Sequence, residues 1–219
     1  MKKTTKILLG FTALWLIVFA ILYLLKIYAQ GNIDRYNNES PKYTIHIKNL
    51  VIGRDILVAL QTGSVPMLLT DRLHTNIFND TLFVIKNNYS MPNQSAFAIY
   101  TADLPELQYV KMSANGKLDA INFNLASLNL LMKDSSICQI KNIKEITAII
   151  NGEARGYFAV EKANIKLADS GFCELRMTNG ELSGEISGDS QLSIIGSVNM
   201  DKFKNSGKGQ IFLNGKKIK

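Results

Sequence analysis

"NGELSGEISGDSQLSIIGSVNM", residues 179–200, decides the fold. In its first half Leu182, Gly184 and Ile186 fall on one side, and Glu181, Ser183, Glu185 and Ser187 fall on the other. That is the two-residue period of a strand with one dry face and one wet face. Glycine returns at 180, 184, 188 and 196, and again at 207, 209 and 215, where strands bend, bulge or turn.

The same alternation continues in both directions. Upstream, "CELRMTNG" (173–180) turns Cys173, Leu175 and Met177 inward, and "KANIKLADSG" (162–171) sets Ala163, Ile165 and Leu167 against Lys162, Asn164 and Lys166. "EITAIINGEARGYFAV" (145–160) reads as two strands joined through an Asn-Gly turn, whose positive φ angles suit a tight reversal. "INFNLASLNLLM" (121–132), "LQYVKMSA" (107–114), "SAFAIYTA" (95–102), "TLFVIKNN" (81–88) and "YTIHIKNLVI" (43–52) are further short strands rich in aromatic and β-branched residues. Downstream, "GKGQIFLNGK" (207–216) adds another. The helical candidate in the body is "SVPMLLTDRLHTNIF" (64–78), with Leu68, Leu69, Leu73 and Ile77 near helical spacing. The expected fold is therefore mainly β: an antiparallel meander, each strand bonded to the next, forming a curved sheet or a sandwich. A sheet greasy on one face must be covered by itself, by a second sheet or by a partner.

The amino terminus carries a different signal. Nineteen residues, Ile7 to Leu25, hold no charge. As a helix they span about 28 Å, close to the hydrocarbon thickness of a bilayer. Lys2, Lys3 and Lys6 precede the run, so the positive-inside rule keeps the short end in the cytoplasm and exports the rest. The expected organisation is a tail at 1–6, a transmembrane helix at 7–28, a polar linker at 29–41 and an exported β-domain at 42–219. A signal peptide cut after Ala29 is the rival reading, but the apolar run exceeds an ordinary signal core and Lys26 interrupts the approach.

Charge excludes one large class. The chain has 25 basic and 18 acidic residues; setting aside Lys2, Lys3, Lys6 and Lys26 leaves 21 basic residues against those 18. With no basic stripe interleaved with aromatics, nucleic acid is not an expected partner. The remaining cations gather near the end, at Lys202, Lys204, Lys208, Lys216, Lys217 and Lys219. They suit a surface for anionic lipid heads or an acidic partner, or a solubilising edge.

Cys138 and Cys173 are the two cysteines, both in the exported part. Oxidation to a structural disulfide is expected there, worth roughly 3.5–4 kcal/mol in the chain-entropy treatment; two buried free thiols are the alternative. Metal binding lacks ligands, since His46 and His74 stand apart and no CxxC or HExxH occurs. No nucleophile elbow, P-loop or dinucleotide fingerprint is present, and acidic pairs such as Asp103 with Glu106, or Glu181 with Glu185, read as solvated strand faces. The expectation is a non-enzymatic chain without cofactor or metal.

A tail, one membrane helix and an exported β-region is similar to protein N of the bacterial type II secretion system. The segment "CELRMTNGELSGEISGDSQLSIIGSVNMDKFKNSGKGQIFLNG" (173–215) carries the resemblance: a Cys before a strand, then G-x-L-x-G, a strand ending in Gly and a last hairpin. About 80 residues take part, and the family's early tryptophans are missing. The resemblance implies a single-pass inner-membrane accessory component with its carboxyl domain in the periplasm, acting by contacts with other inner-membrane secretion subunits. It also makes Cys138 the candidate partner of Cys173. A second resemblance, to AsmA-type periplasmic proteins, implies a lipid-handling groove that takes an acyl chain.

Overall fold

Neighbouring strands of this chain pair chiefly in parallel, each coil stacking on the coil before it, and antiparallel pairing among the described residues is confined to one strand pair near each end of the stack. The fold is seen in a computed structural model that describes residues 47–60, 73–86, 96–100, 104, 106–120 and 125–218. The chain divides into two units, Met1–Thr44 and Ile45–Lys219, and every described residue belongs to the second. The expected tail and transmembrane helix lie outside the described residues. Among the latter, no helix is long and apolar enough to cross a membrane.

Four long strands form the regular part: β9 (Ile137–Ile150), β10 (Arg155–Leu167), β11 (Phe172–Ile186) and β12 (Gln191–Asn205). Before them come β1 (Asn49–Ile52), β2 (Ile56–Leu60), β3 (Leu73–Phe78), β4 (Thr81–Lys86), β5 (Ala96–Tyr100), β6 (Tyr109–Met112), β7 (Lys117–Ala120) and β8 (Leu125–Met132). After them come β13 (Gln210–Leu213) and β14 (Lys216–Lys217).

Each long strand serves two ladders. Its first half joins sheet one, where Lys117, Ile137, Arg155, Phe172, Gln191 and Gln210 stand in register. Its second half joins sheet two, where Asn129, Thr147, Asn164, Ser183 and Lys202 stand in register. Between the halves the register slips, between Phe158 and Val160 and again between Met177 and Gly180. Bulges of this kind bend a strand, and here they make the corner of each coil. The architecture is a parallel β-solenoid. Quasi-one-dimensional stacking of this type gives each coil contacts chiefly with its neighbours.

The turns between coils explain why the chain stacks. Four-residue turns at 133–136, 151–154, 168–171 and 187–190 each end on a small buried residue: Ser136, Ala154, Gly171 and Ser190. Gly116 and Gly209 hold the same place one coil before and one coil after. The room is limiting: a Cβ on Gly171 would lie 3.0 Å from the Ile150 carbonyl oxygen, and one on Gly209 would lie 2.5 Å from Ile186 Cγ1. Turns also bond to turns. The Asp134 carboxylate accepts the Ala114 N–H at 3.3 Å, and the Asp169 carboxylate accepts the Gly152 N–H at 3.1 Å.

Inside, like stacks on like. Ile140, Phe158, Leu175 and Ile194 form one column, and Ile150, Leu167 and Ile186 another, all buried in one continuous core. Full burial of each such side chain contributes about 1.5–3 kcal/mol relative to exposure.

The amino-terminal coils depart from this order. β1 lies between β4 and β6, parallel to both, and β2 lies between β5 and β7 in the same way. The first coil is thus inserted between two later ones. β3 then closes sheet two as an antiparallel strand on β4.

The expectation of a mainly β chain holds; that of an antiparallel meander or sandwich does not. Period-two alternation reports which face a strand buries. It carries no information on whether the next strand returns as an antiparallel hairpin or comes round a whole coil to pair in parallel, as β9 to β12 do here. "NGEARG" does reverse the chain, with Gly152 at φ 71°, yet it joins parallel neighbours and is no hairpin. The helix expected at 64–78 is corrected over its last six residues, since Leu73–Phe78 is strand β3; 64–72 lie outside the described residues. Pairing with β4 overrides a periodicity of only four apolar positions.

Candidate functional site

The ladder register fixes where the two cysteines stand. Cys138 and Cys173 both face Gly156, one from each side, so a whole strand separates them. Two strand spacings put their Cα atoms about 10 Å apart, beyond the roughly 7 Å that a bridge can span. Both are free, fully buried thiols. The expected disulfide is therefore not the arrangement of this fold. Gly156 leaves room between them, and the Phe158 ring takes it: a Cβ there would lie 2.6 Å from Phe158 Cζ. Burial pushes both thiols well above the ordinary value, with the Asp119 carboxylate adding to the effect at Cys138 and Glu174 at Cys173. Neutral, dry and crowded, they are core residues and not nucleophiles.

The lysines fare differently. Lys202 and Lys204 stand on the wet face of β12, Lys208 in the turn to β13, and Lys216 and Lys217 in β14; all five are exposed. β12, β13 and β14 are the last strands of the stack, so the fold brings all five to its carboxyl-terminal end. Lys219 lies outside the described residues.

β12 is covered on its outer edge along only part of its length. β13 pairs with Gln191–Ile194, and β14 pairs with β13. Just beyond, the Asn214 side chain finishes the edge: it accepts the Gly196 N–H at 2.8 Å and donates to the Gly196 carbonyl at 3.1 Å. From Val198 to Lys204, no strand among the described residues lies outside β12. The stretch ends where the Asn205 amide donates to the Gly209 carbonyl at 2.8 Å. Two cavities also run beside the turns, of about 590 and 550 Å³. They share Glu153 and Arg155 and include Lys117, Tyr157, Phe172 and Asp189. Tyr157 packs its ring on Phe172, with centroids 5.7 Å apart and planes tilted by 50°.

The acidic pairs do not converge. Glu181 and Glu185 are exposed on sheet two, four residues apart along β11, about 13 Å. Each faces a lysine on the neighbouring strand instead: Glu181 faces Lys162, and Glu185 faces Lys166. Lys162 also pairs with Glu145 at 3.5 Å. Glu106 sits in a turn, while His46 and Asp103 lie outside the described residues. His74 belongs to β3. Among the described residues no group of His, Cys, Asp and Glu could hold a metal ion.

The coil period is written in the sequence itself. The small buried residue at Gly116, Ser136, Ala154, Gly171, Ser190 and Gly209 returns at intervals of 17–20 residues. Such a period signals a solenoid before any strand is assigned. The open edge had no comparable signal, because it depends on where β13 stops.

No family model matches the chain, and no curated protein matches it. A solved structure from Bacteroides fragilis NCTC 9343, described as a "putative adhesin", superposes with a TM-score of 0.53 at 10% identity, covering 77% of this chain and 92% of that one. Another so described, from Parabacteroides merdae ATCC 43184, gives 0.38 at 16% identity, covering 76% and 91%. The first likeness is one of fold.

Proposed function

We propose that the chain is a non-enzymatic, single-pass protein of a bacterial inner membrane, held by residues 7–28, whose exported β-solenoid works by protein–protein contacts as an accessory of a secretion machine. One observation carries this reading: five lysines spread over residues 202–217 come together at one end of the stack, beside a strand edge without a described neighbour. A concentrated charge next to a strand edge without a described neighbouring strand is suited to recognition, since charge steers the encounter and the edge supplies hydrogen bonds beyond the Asp201 N–H, which the Asn199 side chain already takes at 2.9 Å. The fold it shares with a protein described as a "putative adhesin" is compatible with a binding role. The interior columns are filled by the chain's own side chains, so the acyl-lipid alternative would have to use the surface.

Crosslinking in intact cells, followed by recovery of the chain from membranes, tests the proposal. Other inner-membrane secretion subunits are expected among the products, and deletion should impair secretion while growth continues. Recovery of the mature chain as a soluble protein trimmed near Ala29, with no such crosslinks, would overturn it.

A further inference from the structure

We propose that the open edge of β12, from Val198 to Lys204, is a docking site for an extended acidic segment of a partner protein, which adds to sheet two as one more strand. This rests on the binding role proposed above and specifies the chemistry of the partner.

The charge order of the stack argues for the occupant. On the wet face of sheet two, neighbouring rungs oppose one another in sign. Glu145, Lys162 and Glu181 stand in one row, and Lys166, Glu185 and Lys204 in another. Opposite charges directly across strands stabilise a sheet, and like charges destabilise it. The row ending on Lys204 therefore calls for a carboxylate on the next rung. Lys202 ends the row of Asn164 and Ser183 and adds a second cation to the same face.

The dry face argues for the rest of the segment. Val198 and Met200 pack on the core but remain partly exposed, whereas Ile146, Ala163 and Leu182, on the inner strands of the same sheet, are 2–4% exposed. An added strand with apolar residues at alternate positions would cover them. Asp201 is the one acidic group within the stretch, and it sits at a bulge where Met200 and Asp201 together oppose Leu182. Bulges and lysines also blunt edges against indiscriminate pairing. Here they would reject basic and neutral strands, a second copy of this lysine-bearing edge included, and admit an acidic one.

The test uses the full-length chain in detergent and a fluorescein-labelled ten-residue peptide alternating valine and glutamate. Saturable binding by anisotropy is expected, weakened at least tenfold when lysine replaces the peptide's glutamates. The double variant Lys202→Glu/Lys204→Glu should weaken binding by a similar factor and restore affinity for the lysine peptide. Carbodiimide coupling should join the acidic peptide to Lys202 or Lys204, read by mass spectrometry. The inference is overturned by absent binding, by binding that the double variant leaves unchanged, or by coupling confined to Lys208, Lys216 and Lys217. If the double variant loses binding to phosphatidylglycerol vesicles while peptide binding is absent, the lysines serve lipid and the inference fails. In-cell crosslinks to membrane subunits would survive each of these failures if the wider binding role is right, which separates the two.

Discussion

At the carboxyl-terminal end of the solenoid, antiparallel β14 lies on β13 in sheet one, and sheet two stops at the second half of β12. At the amino-terminal end the arrangement is mirrored: antiparallel β3 lies on β4 in sheet two, and sheet one stops at β5 among the described residues. The dressing of the two ends differs. One carries Lys202, Lys204, Lys208, Lys216 and Lys217; the other leaves Ile77 at 45%, Phe78 at 66% and Ile85 at 45% exposure. Repeated coils bury themselves wherever a neighbour exists on both sides, so terminal coils are where a solenoid must become something other than a repeat. Both ends leave apolar side chains exposed, Ile195 and Ile218 at the carboxyl-terminal end included, but only that end adds the five lysines among the described residues.

Four measurements would break or sharpen this contrast. The largest effect belongs to the coils between the ends. Gly184 has φ 115°, and a Cβ there would collide with the Ile165 carbonyl oxygen. Gly184→Val should cost more than about 4 kcal/mol and abolish the cooperative thermal transition of the β-unit; a Tm within a few degrees of the parent would refute the packing described. Next, Ile165→Ala, in the fully buried middle, should lose about 2–5 kcal/mol by urea titration. Val198→Ala, on the partly exposed last rung, should lose under about 1 kcal/mol. Equal losses would mean that the end is as well covered as the middle.

The thiols give a third measurement. Both are held neutral by burial, above the ordinary thiol value of 9.0. A raised folded-state value means that the unfolded chain releases protons first as pH rises. Stability from this source is complete below pH 9 and declines above it, by about 1.4 kcal/mol per thiol at pH 10. Unfolding followed from pH 8 to 10 should show the decline, and Cys138→Ala/Cys173→Ala should remove it. Native protein should not react with a thiol reagent at pH 8, and non-reducing gels should show no internal bridge. The smallest effect is expected at the amino-terminal end. Phe78→Ser should change stability by no more than about 0.5 kcal/mol while reducing binding of a hydrophobic dye, and a large loss of stability would show Phe78 to be packed.

Much of the molecule was legible in its residues. Alternation of Ile165 and Leu167 with Lys166, and of Cys173 and Leu175 with Glu174, assigns buried and wet faces correctly. The same alternation places Glu181 and Glu185 on a wet face, and both are exposed. Pairing was not legible in that way. A strand looks alike whether its edge meets the next segment or one about eighteen residues distant, because hydrogen bonds come from the backbone that every residue shares. For the same reason a Cys138–Cys173 bridge was a fair expectation from composition and compartment, and the interposed Gly156 strand removed it.

The side chains by themselves determined that this chain makes strands, which faces of those strands are dry, and where turns fall, since apolar period and turn chemistry are local. Tertiary structure alone decided that the strands stack in parallel coils, that a whole strand parts the two thiols, and that scattered lysines share one end with an uncovered edge. Those outcomes depend on backbone groups finding partners far along the chain, and no local pattern encodes that distance except the recurring small residue at each turn.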